Sequence, residues 1–278
     1  MARIALGQID CALGDVATNL ERVHEQVRAA AGQGADLVVF PELTLHGYAL
    51  GQADGDRSIH AEDPRLAGLA QPGTDVLLGF HEDGGVRRYN AAVYLAAEGA
   101  RHKHRKLYLP NYLAWEERKH ASSGQSLRAF DTRLGRMATL ICNDAWQPVL
   151  PWLAAQDGAE VLLVPTNSAV GLGPQSLDVV DYWVELLRFT ARMQQCWVIF
   201  CNRVGTEAGG RFWGGSRILD PTGETVAAAP LWESALTVAE IDIPRARRRR
   251  REVPLLAEAR LGLIERELAR LIEEGGDA

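Results

Sequence analysis

Cys142, Glu42 and Lys106 are three side chains of the types that open an acyl carbon to attack: a nucleophile, a proton shuttle and a cation for the developing oxyanion. Glu42 and Cys142 stand where an apolar run ends, and Lys106 stands where a third segment runs into a proline. Met137-Ala138-Thr139-Leu140-Ile141 runs into Cys142, followed by Asn143-Asp144-Ala145-Trp146-Gln147-Pro148. Ala35 to Phe40 runs into Pro41-Glu42, and Lys106 lies in Arg105-Lys106-Leu107-Tyr108-Leu109-Pro110. Short apolar runs rich in β-branched residues and bounded by proline read as buried strands. Strand ends of an α/β sheet are where ligands gather, because loops converge there on a rigid support. A free thiol, with a pKa of about 8.5, is mostly protonated at neutral pH, so Cys142 needs a base, and Glu42 is the candidate.

Glutamate, lysine and cysteine in this chain order resemble the catalytic triad of the nitrilase (carbon-nitrogen hydrolase) superfamily. Leu109-Pro110-Asn111-Tyr112 followed by Trp115-Glu116-Glu117-Arg118 is similar to the family segment that carries a second active-site glutamate, which falls on Glu117. Asn202-Arg203-Val204-Gly205 and Gly214-Gly215-Ser216-Arg217-Ile218-Leu219-Asp220-Pro221-Thr222-Gly223 also look like family signatures. The resemblance implies an α/β fold, a four-layer α-β-β-α sandwich, that hydrolyses a small amide through a cysteine thioester without metal or cofactor. Tyr48, Tyr112, Asn143, Trp146 and Asn167 are the substrate-binding candidates. Asn143-Asp144 stands where nitrile-cleaving members carry Trp-Glu, which favours an amidase, with carbamoyl-compound and nitrile hydrolysis as alternatives. A binding or regulatory protein of the same fold is the alternative of another class. His46-Gly47-Tyr48-Ala49 and Lys119-His120-Ala121 depart from the usual wording. A metal site built on His102, His104 and His120 is a weaker reading, since the triad already accounts for the acidic and thiol groups.

Several elements must position these groups. Residues 2–9 read as a strand, Asn19 to Ala31 as a helix with Leu20, Val23, Val27 and Ala30 at helical spacing, and Asp36 to Phe40 as a strand, which together make a β-α-β unit. Tyr48 to Gln71 reads as loop with one short helix. Val76 to Phe80 reads as a strand, and Val86 to Ala97 as two strand segments after an Asp83-Gly84-Gly85 turn. Leu127 to Phe130 pairs with Arg136 to Cys142. Leu150 to Gln156 and Leu177 to Met193 read as helices, and Glu160 to Val164, Trp197 to Cys201, Gly215 to Leu219, Thr225 to Ala229 and Ala235 to Ile241 as strands.

The 278 residues are 47% hydrophobic and 24% charged, ordinary for a globular chain with a large core. A net charge of -6 argues against nucleic acid as a general partner. There is no apolar run long enough for a bilayer span and no signal-peptide pattern at the start, so no membrane partner and a cytoplasmic location are expected. Cys11, Cys142, Cys196 and Cys201 lack CxxC spacing and read as free thiols, Cys196 and Cys201 in core strands. Residues 1–244 read as one carbon-nitrogen hydrolase domain. Residues 245–278 hold a basic run, Arg245 to Arg251, and a helix over Leu255 to Ile272, forming a tail that belongs to the same domain or to a subunit contact. The run is expected to be solvated or to face Glu265, Glu267, Glu273 and Glu274. A homodimer or higher homo-oligomer follows from the resemblance.

Overall fold

The computed structural model describes residues 1–112, 115–172 and 178–276. The chain opens with β1 (Ala2–Gln8), α1 (Val16–Gly32) and β2 (Leu37–Val39), then β3 (Asp75–Asp83), β4 (Arg88–Ala96) and β5 (Gly99–Arg105). β6 (Phe130–Thr132), β7 (Gly135–Thr139), α2 (Val149–Gln156), β8 (Val161–Thr166), β9 (Ala169–Val170) and α3 (Val179–Gln194) follow. The remainder is β10 (Trp197–Asn202), β11 (Val204–Glu207), β12 (Gly210–Trp213), β13 (Arg217–Leu219), β14 (Thr225–Ala228), β15 (Ala235–Ile241), α4 (Arg245–Glu252) and α5 (Leu261–Glu273).

Two six-stranded sheets, ordered β15-β1-β2-β3-β4-β5 and β14-β13-β10-β8-β7-β6, form the two inner layers. Period-two alternation sorts their side chains. Ile4, Leu6, Leu37, Val39 and Leu77 from the first sheet meet Met137, Ile141, Val161, Leu163, Ile199 and Ile218 from the second. Their neighbours in sequence point outward: Ala5, Val38, Val76 and Leu78 pack on Leu20, Val23, Val27 and Ala30 of α1. On the far side, Ala138, Leu140, Leu162, Val164 and Phe200 pack on Leu150 and Ala154 of α2 and on Trp183, Leu187 and Ala191 of α3. Strands buried on both faces require near-continuous apolar runs, and β2, β8 and β10 have them. The layers are therefore α-β-β-α, the sandwich expected. A third small sheet, β11-β12-β9, sits beside them.

Several boundaries differ from the sequence reading. α1 begins at Val16 rather than Asn19, because the Asp15 side chain accepts from the Thr18 amide and caps the helix a turn earlier. Residues 88–96 form one strand and not two, paired along its length with β3. The 48–71 region carries two single 3-10 turns, Leu50–Gln52 and Pro64–Leu66. The predicted start of the long helix at Leu177 lies outside the described residues.

The largest difference is at the C-terminal end. The arginine run is neither a free arm nor a partner of the late glutamates: it is helix α4, docked on its own chain. Ala246 is buried against the inter-sheet core. Arg247 grips the buried carboxylate of Glu160 through two hydrogen bonds of 2.6 Å. Arg245 pairs with Asp220 at 2.8 Å, Arg248 with Asp242, and Arg250 donates to the carbonyl oxygens of Ala159 and Gln194. Residues 255–260, predicted to be helical, precede α5, which buries none of its residues. No helix among the described residues is long and apolar enough to cross a membrane.

Candidate active site

Glu42 sits in the turn after β2, one position before Leu43, whose φ is +47°. This turn lies hard against β3: a Cβ on Gly79 would fall 2.5 Å from both the Leu43 nitrogen and the Pro41 oxygen. Only glycine permits that approach, so a distant strand fixes where the carboxylate points. Lys106 follows the last residue of β5 and is anchored by its backbone N–H to the Asn90 oxygen at 2.8 Å. Cys142 stands three residues beyond β7 at the start of a single 3-10 turn, Cys142–Asp144, with φ +47°. A non-glycine residue in the left-handed region is strained unless its surroundings enforce it.

Asp144 supplies much of that enforcement. One of its carboxylate oxygens accepts from the backbone amides of Leu107 and Tyr108, both at 2.9 Å, and the other accepts from the Ile141 amide at 3.1 Å and contacts His104 Nε2 at 3.1 Å. The Cys142 turn is thus tied to the segment that carries Lys106. Asn143 adds a bond from Nδ2 to the Tyr108 oxygen at 3.1 Å.

The charged groups converge. Lys106 Nζ donates to Glu42 Oε1 and to Glu117 Oε1, each at 2.7 Å, and all three side chains are buried. Glu42 Oε1 also accepts from Asn90 Nδ2 at 2.7 Å, and its Oε2 accepts from the Asn167 amide at 2.9 Å. Glu117 accepts from the Tyr48 hydroxyl. Tyr48 is itself placed by Glu207, which accepts from the Tyr48 and Ala49 amides at 2.7 and 2.6 Å and is held by Arg203 at 2.9 Å. Cys142 is close enough to feel the charge of Glu42, Lys106 and Glu117.

The electrostatics follow from this packing. Burial pushes the Cys142 thiol well above its ordinary value, Glu42 and Glu117 push the same way, and Lys106 opposes them. Burial and the two carboxylates thus favour the thiol, and Lys106 favours the thiolate. Burial disfavours the Lys106 charge, but Glu117 and Glu42 outweigh it and hold the ammonium well above the usual lysine range. Burial, opposed by Lys106 and reinforced by Glu42, pushes Glu117 up to about 7.

This last shift has a signed consequence for stability. The folded protein binds the Glu117 proton more tightly than the unfolded chain, so the contribution is fully present below the ordinary carboxylate value of 4.5 and is lost as pH rises through about 7. Unfolding free energy from urea titrations at pH 5 and pH 8 is expected to fall with pH more steeply in the wild type than in Glu117→Gln. Parallel pH dependences would show that Glu117 titrates normally.

All five substrate-binding candidates, Tyr48, Tyr112, Asn143, Trp146 and Asn167, line one cavity of about 440 Å³ that also exposes Cys142. The three histidines do different things: His104 contacts Asp144, His102 stacks on Phe130 at 4.1 Å, and the His120 carbonyl contacts His81 Nε2. No cluster of three or more His, Cys, Asp or Glu side chains among the described residues could hold a metal ion. Sequence reasoning missed Asn90 and the Glu207–Arg203 pair. A lone asparagine opening the apolar Ala91-Ala92-Val93 run was the available signal for the first; Arg203 belonged to a noted motif but carried no stated role.

Cys11, Cys196 and Cys201 are buried, and burial pushes each thiol up to about 12; Cys142 is partly exposed. Iodoacetamide is expected to add once to the native protein and four times after denaturation, by intact mass. Accessibility alone gives that count, so activation is read from the rate: Glu42→Gln should slow the single adduct. Equal rates would remove Glu42 as the base toward sulfur.

A sequence model described as carbon-nitrogen hydrolase matches residues 3–251. An N-carbamoylputrescine amidase of Solanum lycopersicum is 31% identical over 271 residues, spanning 90% of this chain and 89% of its own. A glutamine-dependent NAD(+) synthetase of Thermotoga maritima is 31% identical over 246 residues, 87% of this chain but 42% of that protein. Among solved structures, an amidase mutant from Nesterenkonia sp. AN1, in which acrylamide has added to the active-site cysteine by Michael addition, superposes with a TM-score of 0.76 at 25% identity, over 91% of this chain and 98% of that one.

Proposed function

From the premise that the chain belongs to the carbon-nitrogen hydrolase family and is an amidase-like enzyme acting on non-peptide C–N bonds, we propose that it hydrolyses a small amide through an acyl-thioester on Cys142. The observation that carries this reading is the single buried cluster in which Lys106 bonds both Glu42 and Glu117 beside the one accessible thiol.

In this reading Glu42 takes the thiol proton as Sγ attacks the carbonyl carbon, and the negative charge moves to the former carbonyl oxygen. Lys106 and the backbone N–H after Cys142 stabilise that oxyanion. Collapse of the tetrahedral intermediate breaks the C–N bond, and the proton held by Glu42 passes to the departing nitrogen, which leaves as ammonia or an amine. Water then gives a proton to Glu42 as its oxygen adds to the thioester carbon; the C–S bond breaks, the carboxylic acid leaves, and the departing sulfur takes the proton back from Glu42 to restore the thiol. Glu117 and Tyr48 keep the ammonium in place, and Asp144 sets the angle of the nucleophile turn as a positioning residue.

A carbamoyl compound is the second reading, favoured by the relative that acts on N-carbamoylputrescine. Ammonia release over a panel of amides, carbamoyl compounds and nitriles separates the two. Amide turnover above the carbamoyl and nitrile rates supports the first reading, and ammonia from none of them would overturn both. The same reading includes a homo-oligomer, supported by Leu261, Leu268, Leu271 and Ile272 lying exposed on α5.

A further inference from the structure

The cavity over Cys142 is lined on one side by Tyr112, Trp115, Trp146, Trp183, Val170 and Val179, with Asn143, Asn167 and Ser168 among the polar groups, and no Asp, Glu, Lys or Arg is among its described lining residues. The aromatic wall is braced: Trp146 stacks on Tyr182 with ring centroids 4.3 Å apart and meets the buried Trp183 edge-on at 5.7 Å.

Among the described residues the cation of the site is Lys106, which is absent from the cavity lining and is held 2.7 Å from each of two carboxylates, at the reacting end where the carbonyl oxygen and not the acyl tail would meet it. An anionic group entering the cavity would leave water, meet aromatic faces without a counter-ion, and feel Glu42 and Glu117 beyond them. A hydrocarbon or aromatic group entering the same space would bury apolar surface against rigid rings.

We propose that this cavity selects amides whose acyl group ends in an uncharged hydrocarbon or aromatic tail and rejects those ending in a carboxylate, with Trp146, Trp115 and Tyr112 as the residues that set the choice. The inference rests on the reading of Cys142 as the acyl acceptor and adds the chemical class of the acyl group. It separates this chain from enzymes that take amino-acid or dicarboxylate monoamides, for which a basic residue must face the tail.

The test compares two amides of equal length, hexanamide and 6-amino-6-oxohexanoate, by ammonia release. Hexanamide is expected to have the higher kcat/KM by ~100-fold or more, the scale set by placing an unpaired charge in a poorly solvated site. Equal values, or a faster carboxylate, would overturn the proposal. Tyr112 is half exposed, so Tyr112→Ala should fold normally while raising KM for hexanamide several-fold with kcat little changed; an unmoved KM would take Tyr112 out of the selecting wall. Should neither compound release ammonia, the wider panel decides the hydrolase reading separately. Titration of the cavity tryptophans' fluorescence in Cys142→Ala with the same two compounds then decides the matter: tighter hexanamide binding sustains the selection, and tighter carboxylate binding, or none of either, ends it.

Discussion

Cys142→Ala should lose ammonia-releasing activity by at least ~10⁴-fold while keeping its fold, since a covalent route has no substitute for its nucleophile and the remaining groups act as a unit with it. The substitution removes one sulfur from a partly exposed position, and alanine tolerates φ +47° no better or worse than cysteine, so the melting temperature should hardly move. Turnover and thermal unfolding measured on the same preparation check both halves. Residual activity within tenfold of the wild type, in a protein that still melts at the same temperature, would mean that sulfur is not the attacking atom.

Lys106→Met should damage both activity and stability. The ammonium is fully buried and is the one cation shared by Glu42 and Glu117. Removing it leaves two carboxylates facing each other out of water, and breaking a buried ion pair from one side costs about 3–5 kcal/mol. Urea unfolding at pH 8 should show a loss of that order. Adding Glu117→Gln to Lys106→Met should return part of the stability and none of the activity, because the repulsion goes but the oxyanion cation does not come back. The cycle is non-additive by construction, as expected for groups in direct contact. A single mutant within about 1 kcal/mol of wild type would mean that the carboxylates had reached water and that the cluster is looser than its distances imply.

What could be read before the fold was known was whatever depends on one segment at a time. Glu42 and Cys142 were recognisable because each closes an apolar run, Lys106 joined them through the chain order that the family resemblance carries, and the four layers were implied by the same resemblance. The supports of these residues were not legible, because they come from pairs far apart in sequence. Asp144 looked like a neighbour of the nucleophile, yet its partners Leu107 and Tyr108 lie more than 30 residues away. Gly79 gave no local sign that it makes room for Glu42. Helix α4 was missed for a related reason: six arginines in seven residues have no apolar period, and besides the nearby Asp242 their partners are Glu160 and Asp220, which only the tertiary structure brings near.

The docked arginine helix also determines how the question of assembly can be asked. A deletion made at the end of the last strand would uncover Ala246's seat between the sheets and strand the Glu160 charge without its guanidinium, so any loss of self-association would report a wounded protomer. A cut placed after Arg260 spares that clamp and the Leu256 carbonyl held by Gln156 and takes away only the leucine-studded terminal rod, leaving the stoichiometry of the shortened protein to speak for α5 alone.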